Sequence, residues 1–152
     1  MLFLLFQIGE DRYALEARQV LEVLPLVHLK QIPRAHSSVA GVFNYHGVSV
    51  PLIDITELTL GRRSAARMSS RIILTHYHPE SGAKHLIGLL AEQVIETIQQ
   101  PESDFVDSGI AAADSPYLGS VSTGKSGIIQ RIEVSRLLPQ VLRDQLFSPV
   151  VT

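Results

Sequence analysis

The sequence predicts a mostly β protein: two small β-barrels in tandem, with short helices and a helix near the C-terminal end. Three observations predict it. Most apolar segments are short, rich in Val, Ile and Leu and cut by turn residues, which is the pattern of many short strands. The pattern breaks at a polar stretch, Gly61 to Ser70, and then starts again. Two blocks also recur in the same order on either side of that break. Gln19-Val20-Leu21-Glu22 returns as Gln93-Val94-Ile95-Glu96, and Ile53-Asp54-Ile55-Thr56-Glu57-Leu58 as Ile132-Glu133-Val134-Ser135-Arg136-Leu137. Such recurrence argues for a duplicated unit of about 60 to 70 residues, the size of a small closed barrel. The expected division is a first barrel over about residues 1–60 and a second over about 70–138, packed together with a helical tail as one domain over 1–152. A barrel this small fills its interior with side chains. One unit alone is marginal in size, so the two are expected to share an apolar interface.

The elements follow in order. Leu2 to Ile8 reads as a first strand stopped by Gly9-Glu10-Asp11, and Arg12 to Leu15 as a second. Val20 to Leu29 continues as a long apolar segment bent at Pro25. Val39 to Tyr45 and Val48 to Ile53 flank His46-Gly47, where Gly47 can supply the positive φ of a tight hairpin. Pro51, which has no N–H to donate, argues for an edge or a bulge in that strand. Gly61 to Ser70, with Arg62, Arg63 and Arg67, reads as a solvated linker; a phosphate-binding patch is the sharper alternative. Beyond it, Arg71 to Tyr77 and His85 to Ala91 are strands around a turn at Pro79-Glu80-Ser81-Gly82. Val134 to Leu146 reads as a terminal helix interrupted or begun near Pro139.

Composition bounds the chemistry. Hydrophobic residues are 45% of the 152 and charged residues 18%, enough apolar matter for a real core. Thirteen basic against 15 acidic side chains leave a net charge of -2, without the basic excess of a nucleic-acid surface. With no cysteine there is no disulfide, thiolate zinc site or thiol nucleophile. The apolar opening Met1 to Phe6 is too short to span a bilayer, and it has neither the basic leader nor the cleavage site of a signal peptide. A soluble cytoplasmic chain with no membrane insertion is expected.

Three motifs suggest chemistry. Gly119-Ser120-Val121-Ser122-Thr123-Gly124-Lys125-Ser126 matches the phosphate-loop pattern G-x-x-x-x-G-K-S. Such a loop needs a buried strand before it and a long helix after it, so that backbone N–H groups and the helix N-terminus cradle phosphates. Here Ala113 to Tyr117 make no buried strand, and Gly127 with β-branched Ile128-Ile129 follows directly, so a Gly-rich hairpin turn is the better reading; Ile128 to Leu138 is itself ambiguous between strand and helix. His76 and His78 alternate at a strand end with His85 across a hairpin, a possible zinc trio, but no carboxylate stands ready to orient them. Asp54, Glu57, Glu92 and Glu96 form no pair suited to acid–base work, and there is no G-x-S-x-G elbow. A binding module without catalysis, cofactor or metal is the expected class, with a nucleotide-binding protein using Gly119 to Ser126 as the alternative.

The residues also resemble a family. Phe3 to Gly9, Tyr13-Ala14-Leu15 and Val20-Leu21-Glu22-Val23 are similar to the opening of CheW-like chemotaxis adaptors. Gly41 to Ile55, with Asn44, Gly47, Pro51 and Asp54, resembles that family's G-V-x-N-L-R-G-x-x-x-P-ϕ-ϕ-D-L signature, ϕ being apolar. Ile87 to Val94, Tyr117-Leu118-Gly119 and Ile132 to Leu138 fit as well, so the resemblance covers nearly the whole chain. It implies two SH3-like five-stranded barrels forming a scaffold between a chemoreceptor's cytoplasmic tip and the regulatory domain of a CheA-type histidine kinase, at receptor arrays on the inner face of the membrane. It also implies that the phosphate-loop match is the turn before the last strand of the second barrel.

Carried over by position, the resemblance implies a receptor-facing groove with Glu22 and the turn Asn44-Tyr45-His46-Gly47. It implies a kinase-facing surface with Leu4, Ala17 and Val20 on the first barrel and Val94 on the second. Leu4 and Val20 could equally be core, because alternation alone does not say which face points inward. Two departures stand out: His46 where the family usually has Arg, and Glu92-Gln93 for the usual Asp and its neighbour. An arginine at 46 could make a fixed bidentate pair with Glu22 or a receptor; histidine is shorter and not permanently charged. The expectation is a specialised chemosensory pathway with its own matched receptor. A detached kinase regulatory domain of the same fold is the near alternative; with no kinase, receiver or membrane segment in the chain, a stand-alone adaptor is the simpler expectation.

Overall fold

A computed structural model describes residues 1–79, 82–110, 114–124 and 127–147. Ten strands form two five-stranded sheets: β1 (Leu2–Ile8), β2 (Asp11–Glu16), β3 (Val20–Pro25), β4 (Val39–Tyr45), β5 (Val48–Asp54), β6 (Arg71–Tyr77), β7 (His85–Ala91), β8 (Gln93–Gln99), β9 (Leu118–Gly124) and β10 (Gly127–Ile132). Helix α1 (Ile55–Leu60) follows β5, and α2 (Gln140–Phe147) closes the described chain. The fold is the mostly β, SH3-like two-barrel architecture expected, and the terminal segment is a 3-10 turn at Val134–Arg136 followed, after Pro139, by α2.

The barrels do not divide at residues 60–70. One sheet runs β8-β1-β2-β10-β9 and the other β3-β6-β7-β5-β4. Each is completed by a hairpin from the other half of the chain: β1–β2 joins the strands after residue 92, and β6–β7 joins those before residue 55. The duplication itself holds. β3 is the counterpart of β8, β4–β5 of β9–β10 and β6–β7 of β1–β2, and each sheet carries one parallel pair, β2 with β10 and β7 with β5. Equivalent hairpins can complete either copy with the same local pairings, as in a domain swap. Placing them crosswise puts β1 and β6 in the seam between the sheets.

That placement explains why Leu2 to Phe6 and Ile72 to Leu74 are unbroken apolar runs, since strands buried on both faces need apolar residues on both. From β1, Leu4, Phe6 and Ile8 enter the large cluster joining both sheets and α2, with Tyr13, Ile53, Ile73, Tyr77 and Leu142. Phe3 and Leu5 point the other way, to Ala14, Phe105 and Ile129. From β6, Ile73 and Tyr77 join the shared cluster while Ile72 and Leu74 pack on Phe43, Val50 and Leu52. Gly88 in β7 allows that second packing: a Cβ there would stand 2.9 Å from the Phe43 ring and 3.0 Å from Ile72.

Each barrel is closed by the segment that follows its edge strand. β3 ends at Pro25, and Lys30 then bridges to Val42 of β4; after β8, Val106 bridges to Val121 of β9. β5 lies inside its sheet, yet Pro51 is tolerated because β5 meets β7 only from Leu52 onward, so no ladder donor is needed at 51.

Candidate functional site

The β4–β5 turn is a two-residue hairpin, with Tyr45 paired to Val48 and positive φ at both His46 (49°) and Gly47 (87°). This is the type I′ geometry that matches strand twist; glycine adopts it freely and histidine is among the side chains that tolerate it. Asn44 Oδ1 accepts from the Gly47 N–H at 2.7 Å and fixes the turn. Barrel closure brings β3 beside β4, and the Tyr45 hydroxyl donates to Glu22 Oε2 at 2.7 Å. His46 stands edge-on to the Tyr45 ring, centroids 4.5 Å apart. The five residues expected in one groove therefore fall into one cluster. The pairing differs from that considered for position 46, because Glu22 is taken by Tyr45. This bond, with slight desolvation and the charge of Glu22, raises the Tyr45 pKa above the ordinary 10.0.

The second predicted set is dispersed by burial. Leu4 is 6% exposed and packs in the seam, so it is a core residue and not a surface anchor. Val20 and Val94 are half-buried against the same cluster, at equivalent starts of β3 and β8, and Ala17 lies half-buried in the 3-10 turn before β3. What the sequence did not reveal is that Leu21 (49% exposed) and Val23 (38%) lie open on β3, an edge strand with β6 as its one sheet neighbour. Leu26, Val27 and Val48 are exposed as well. A period-2 pattern does not say which face is free.

Asp54 supports this side of the molecule from within. Its buried carboxylate accepts the Thr56 and Glu57 N–H groups that open α1, and the N–H and hydroxyl of Ser64, at 2.8 and 2.5 Å. The Arg-rich stretch, read as a solvated linker, is largely exposed and is also strapped down: Arg62 reaches Glu92 at 3.1 Å, Ser69 donates to the Glu92 carbonyl, and Arg71 holds the carbonyls of Met68 and Ser70.

The other motifs do not assemble. Residues 119–124 of the phosphate-loop match lie in strand β9, antiparallel to β10, so no helix follows; Lys125 and Ser126 lie outside the described residues. His85 pairs across from Tyr77, which puts His76 on the opposite face, and its ring stacks on Phe147 at 3.9 Å; His78 lies beyond the strand end, exposed. Among the described residues no three metal-ligating side chains come together. No described helix is long and apolar enough to cross a membrane.

Two exchanged five-stranded barrels, an Asn-Tyr-His-Gly turn and an open edge strand describe a protein-binding module. The match of residues 2–142 to the CheW-like domain model places the chain in that family of chemotaxis scaffold and adaptor proteins. It is similar to Protein FrzA of Myxococcus xanthus, 29% identical over 140 residues, covering 90% of this chain and 84% of that one. It is also similar to Chemotaxis protein CheW of Helicobacter pylori, 28% identical over 102 residues, 67% of this chain and 60% of that protein. The crystal structure of the scaffolding protein TtCheW from Thermoanaerobacter tengcongensis shares the fold, with a TM-score of 0.76 at 21% identity, over 88% of this chain and 84% of that one.

Proposed function

We propose that the chain is a non-enzymatic adaptor that couples the cytoplasmic tip of a chemoreceptor to the regulatory domain of a CheA-type histidine kinase, at arrays on the inner face of the membrane. The supporting observation is β3 in a chain of this family: an edge strand showing Leu21 and Val23 to solvent beside the Glu22–Tyr45 bridge and its sharp turn. Apolar anchors of this kind supply most of the energy of an interface, and rim polar groups choose the partner. Glu22 with Asn44, Tyr45, His46 and Gly47 forms the receptor-facing groove. Ala17 and Val20, and Val94 on the second barrel, mark the kinase-facing surfaces, while Leu4 supports them from beneath. A body with its two sheets locked on one core transmits receptor geometry to the kinase without chemistry of its own.

The test is reconstitution with a receptor tip fragment and the kinase regulatory domain of the same genome, read by calorimetry and by gel filtration of the ternary mixture. Both partners bind at once, and His46→Arg changes receptor affinity while leaving kinase affinity alone. Mutual exclusion of the partners, or no binding of either, overturns the proposal.

A further inference from the structure

We propose that the cleft between the end of β6 and the start of α2 binds an extended peptide segment carrying an oxyanion, the carboxylate of Asp or Glu or a phosphate on Ser or Thr. The cleft encloses about 400 Å³ and is lined by Tyr77, Pro79, Pro116, Leu138, Pro139, Ser135, Arg136 and Arg143. It shares no residue with the Glu22–Tyr45 groove. Two guanidinium groups face it, and no carboxylate is among the described residues that line it.

Both arginines keep donor capacity for a ligand. Arg136 is met by Glu133 at 3.6 Å, with both side chains about half exposed, and such surface pairs are weak and readily exchanged. The Arg143 fork donates to Gln140 Oε1 at 2.5 Å and lines the cleft beside Tyr77, while its Nε–H is buried without an acceptor. A buried donor left unmade is destabilising. Gln140 Nε2 also donates to Asp144 at 2.7 Å.

The charges run against helix stability. α2 follows Pro139, whose carbonyl accepts from the N–H groups of Leu142 and Arg143, and its first turn contains no acidic residue. The positive end of a helix favours anions, yet here it is given two arginines. Locally unfavourable charge of this kind is expected where a ligand completes the site. The remaining walls are three prolines, Leu138 and the Tyr77 ring. They are rigid and apolar, and the volume is that of a ligand pocket and far more than one bare oxyanion fills, so the anion arrives on a peptide whose flanking atoms pack on those walls.

The test is NMR of the full chain, following the arginine Nε–H resonances during titration with the synthetic peptides Pro-Glu-Pro, Pro-phosphoserine-Pro and Pro-Gln-Pro and with inorganic phosphate. One of the anionic peptides is expected to shift the Arg143 resonance saturably, at least tenfold more tightly than Pro-Gln-Pro or inorganic phosphate. Arg143→Lys keeps the charge and loses the fork, and weakens that binding at least fivefold. Arg136→Ala, at an exposed position that leaves the fold intact, weakens it too. Three outcomes overturn the proposal: no shift with any probe, equal binding of Pro-Gln-Pro, which makes this an apolar groove only, or phosphate alone as tight as the peptides, which makes it a free-anion site.

Discussion

β3 and β8 occupy equivalent places, each an edge strand paired to the first strand of a hairpin lent by the other half, yet they present different chemistry. β3 shows Leu21 and Val23 to solvent, whereas the exposed positions of β8 are polar: Gln93, Glu96, Thr97 and Gln99. Glu22 on β3 finds the Tyr45 hydroxyl, but at the place equivalent to Tyr45, where β9 meets its turn, there is Gly124. The supports differ as well. Asp54 caps α1 with two hydrogen bonds and accepts two more from Ser64, while its counterpart Glu133 makes no side-chain cap and is followed only by a 3-10 turn. The terminal sheet has instead an ionic cluster around the buried Glu16, which accepts from Arg131 and Arg18, and Arg131 reaches Glu102 at 3.2 Å while its guanidinium lies over Phe3 and Phe105. One duplicated scaffold thus differs between its copies, one showing an apolar edge strand and the other held by an ionic clamp.

The largest effect expected from this division lies in the clamp. Arg131→Met leaves the Glu16 carboxylate buried without its main partner, which costs about 3–5 kcal/mol. The double change Glu16→Gln with Arg131→Met restores most of it, because two well-packed neutral groups replace a buried pair at little net cost. Urea midpoints decide it, and a loss below about 1 kcal/mol for Arg131→Met alone would show the cluster to be peripheral. Next comes the cap. Asp54→Ala strips buried donors of their acceptor and is expected to cost about 2 kcal/mol, whereas Glu133→Ala stays within about 0.5 kcal/mol. Equal losses at the two sites would dissolve the distinction between the copies.

A smaller effect tests the open strand. Val23→Glu is expected to weaken binding of the favoured partner about tenfold, or about 1.4 kcal/mol, with Thr97→Glu at the polar β8 as the silent control. If both substitutions weaken binding alike in calorimetry, the edge strands are interchangeable and the division fails. That contrast was only partly legible in the sequence. The strands, the β4–β5 hairpin and the recurring blocks were readable because each is local: alternation, turn residues and repetition act over a few neighbours. The exchange of hairpins was not, since β1–β2 and β6–β7 satisfy either copy with the same local bonds and only the shared core selects between them. Leu4 stayed open between surface and core for a related reason. In a strand buried on both faces every position is apolar, so no pattern marks which side meets solvent. The Glu22–Tyr45 bond depends on barrel closure through Lys30 and Val42, a contact without local signal. Arg136 and Arg143 carried no signal in the sequence, because only the fold brings them to one cleft with Pro139 and Tyr77.

The smallest effect concerns that bond. Glu22 raises the Tyr45 pKa above 10.0 chiefly by accepting its proton in a hydrogen bond, and its negative charge opposes the phenolate further. A group with a raised pKa in the folded state contributes fully below its unfolded value and is lost as pH climbs through the folded one. The bridge is therefore intact through the neutral range and is given up only in strong alkali. Spectroscopic titration of the tyrosines should find Tyr45 ionising above the ordinary phenol value, assigned through Tyr45→Phe, and Glu22→Gln should bring it back down. Nothing comparable is expected from Glu96→Gln, because glycine at 124 offers no hydroxyl. A Tyr45 titration that ignores Glu22 would mean the two side chains part in solution. β3 would then differ from β8 only in its apolar exposure, and partner choice would have to rest on Asn44, His46 and Gly47 alone.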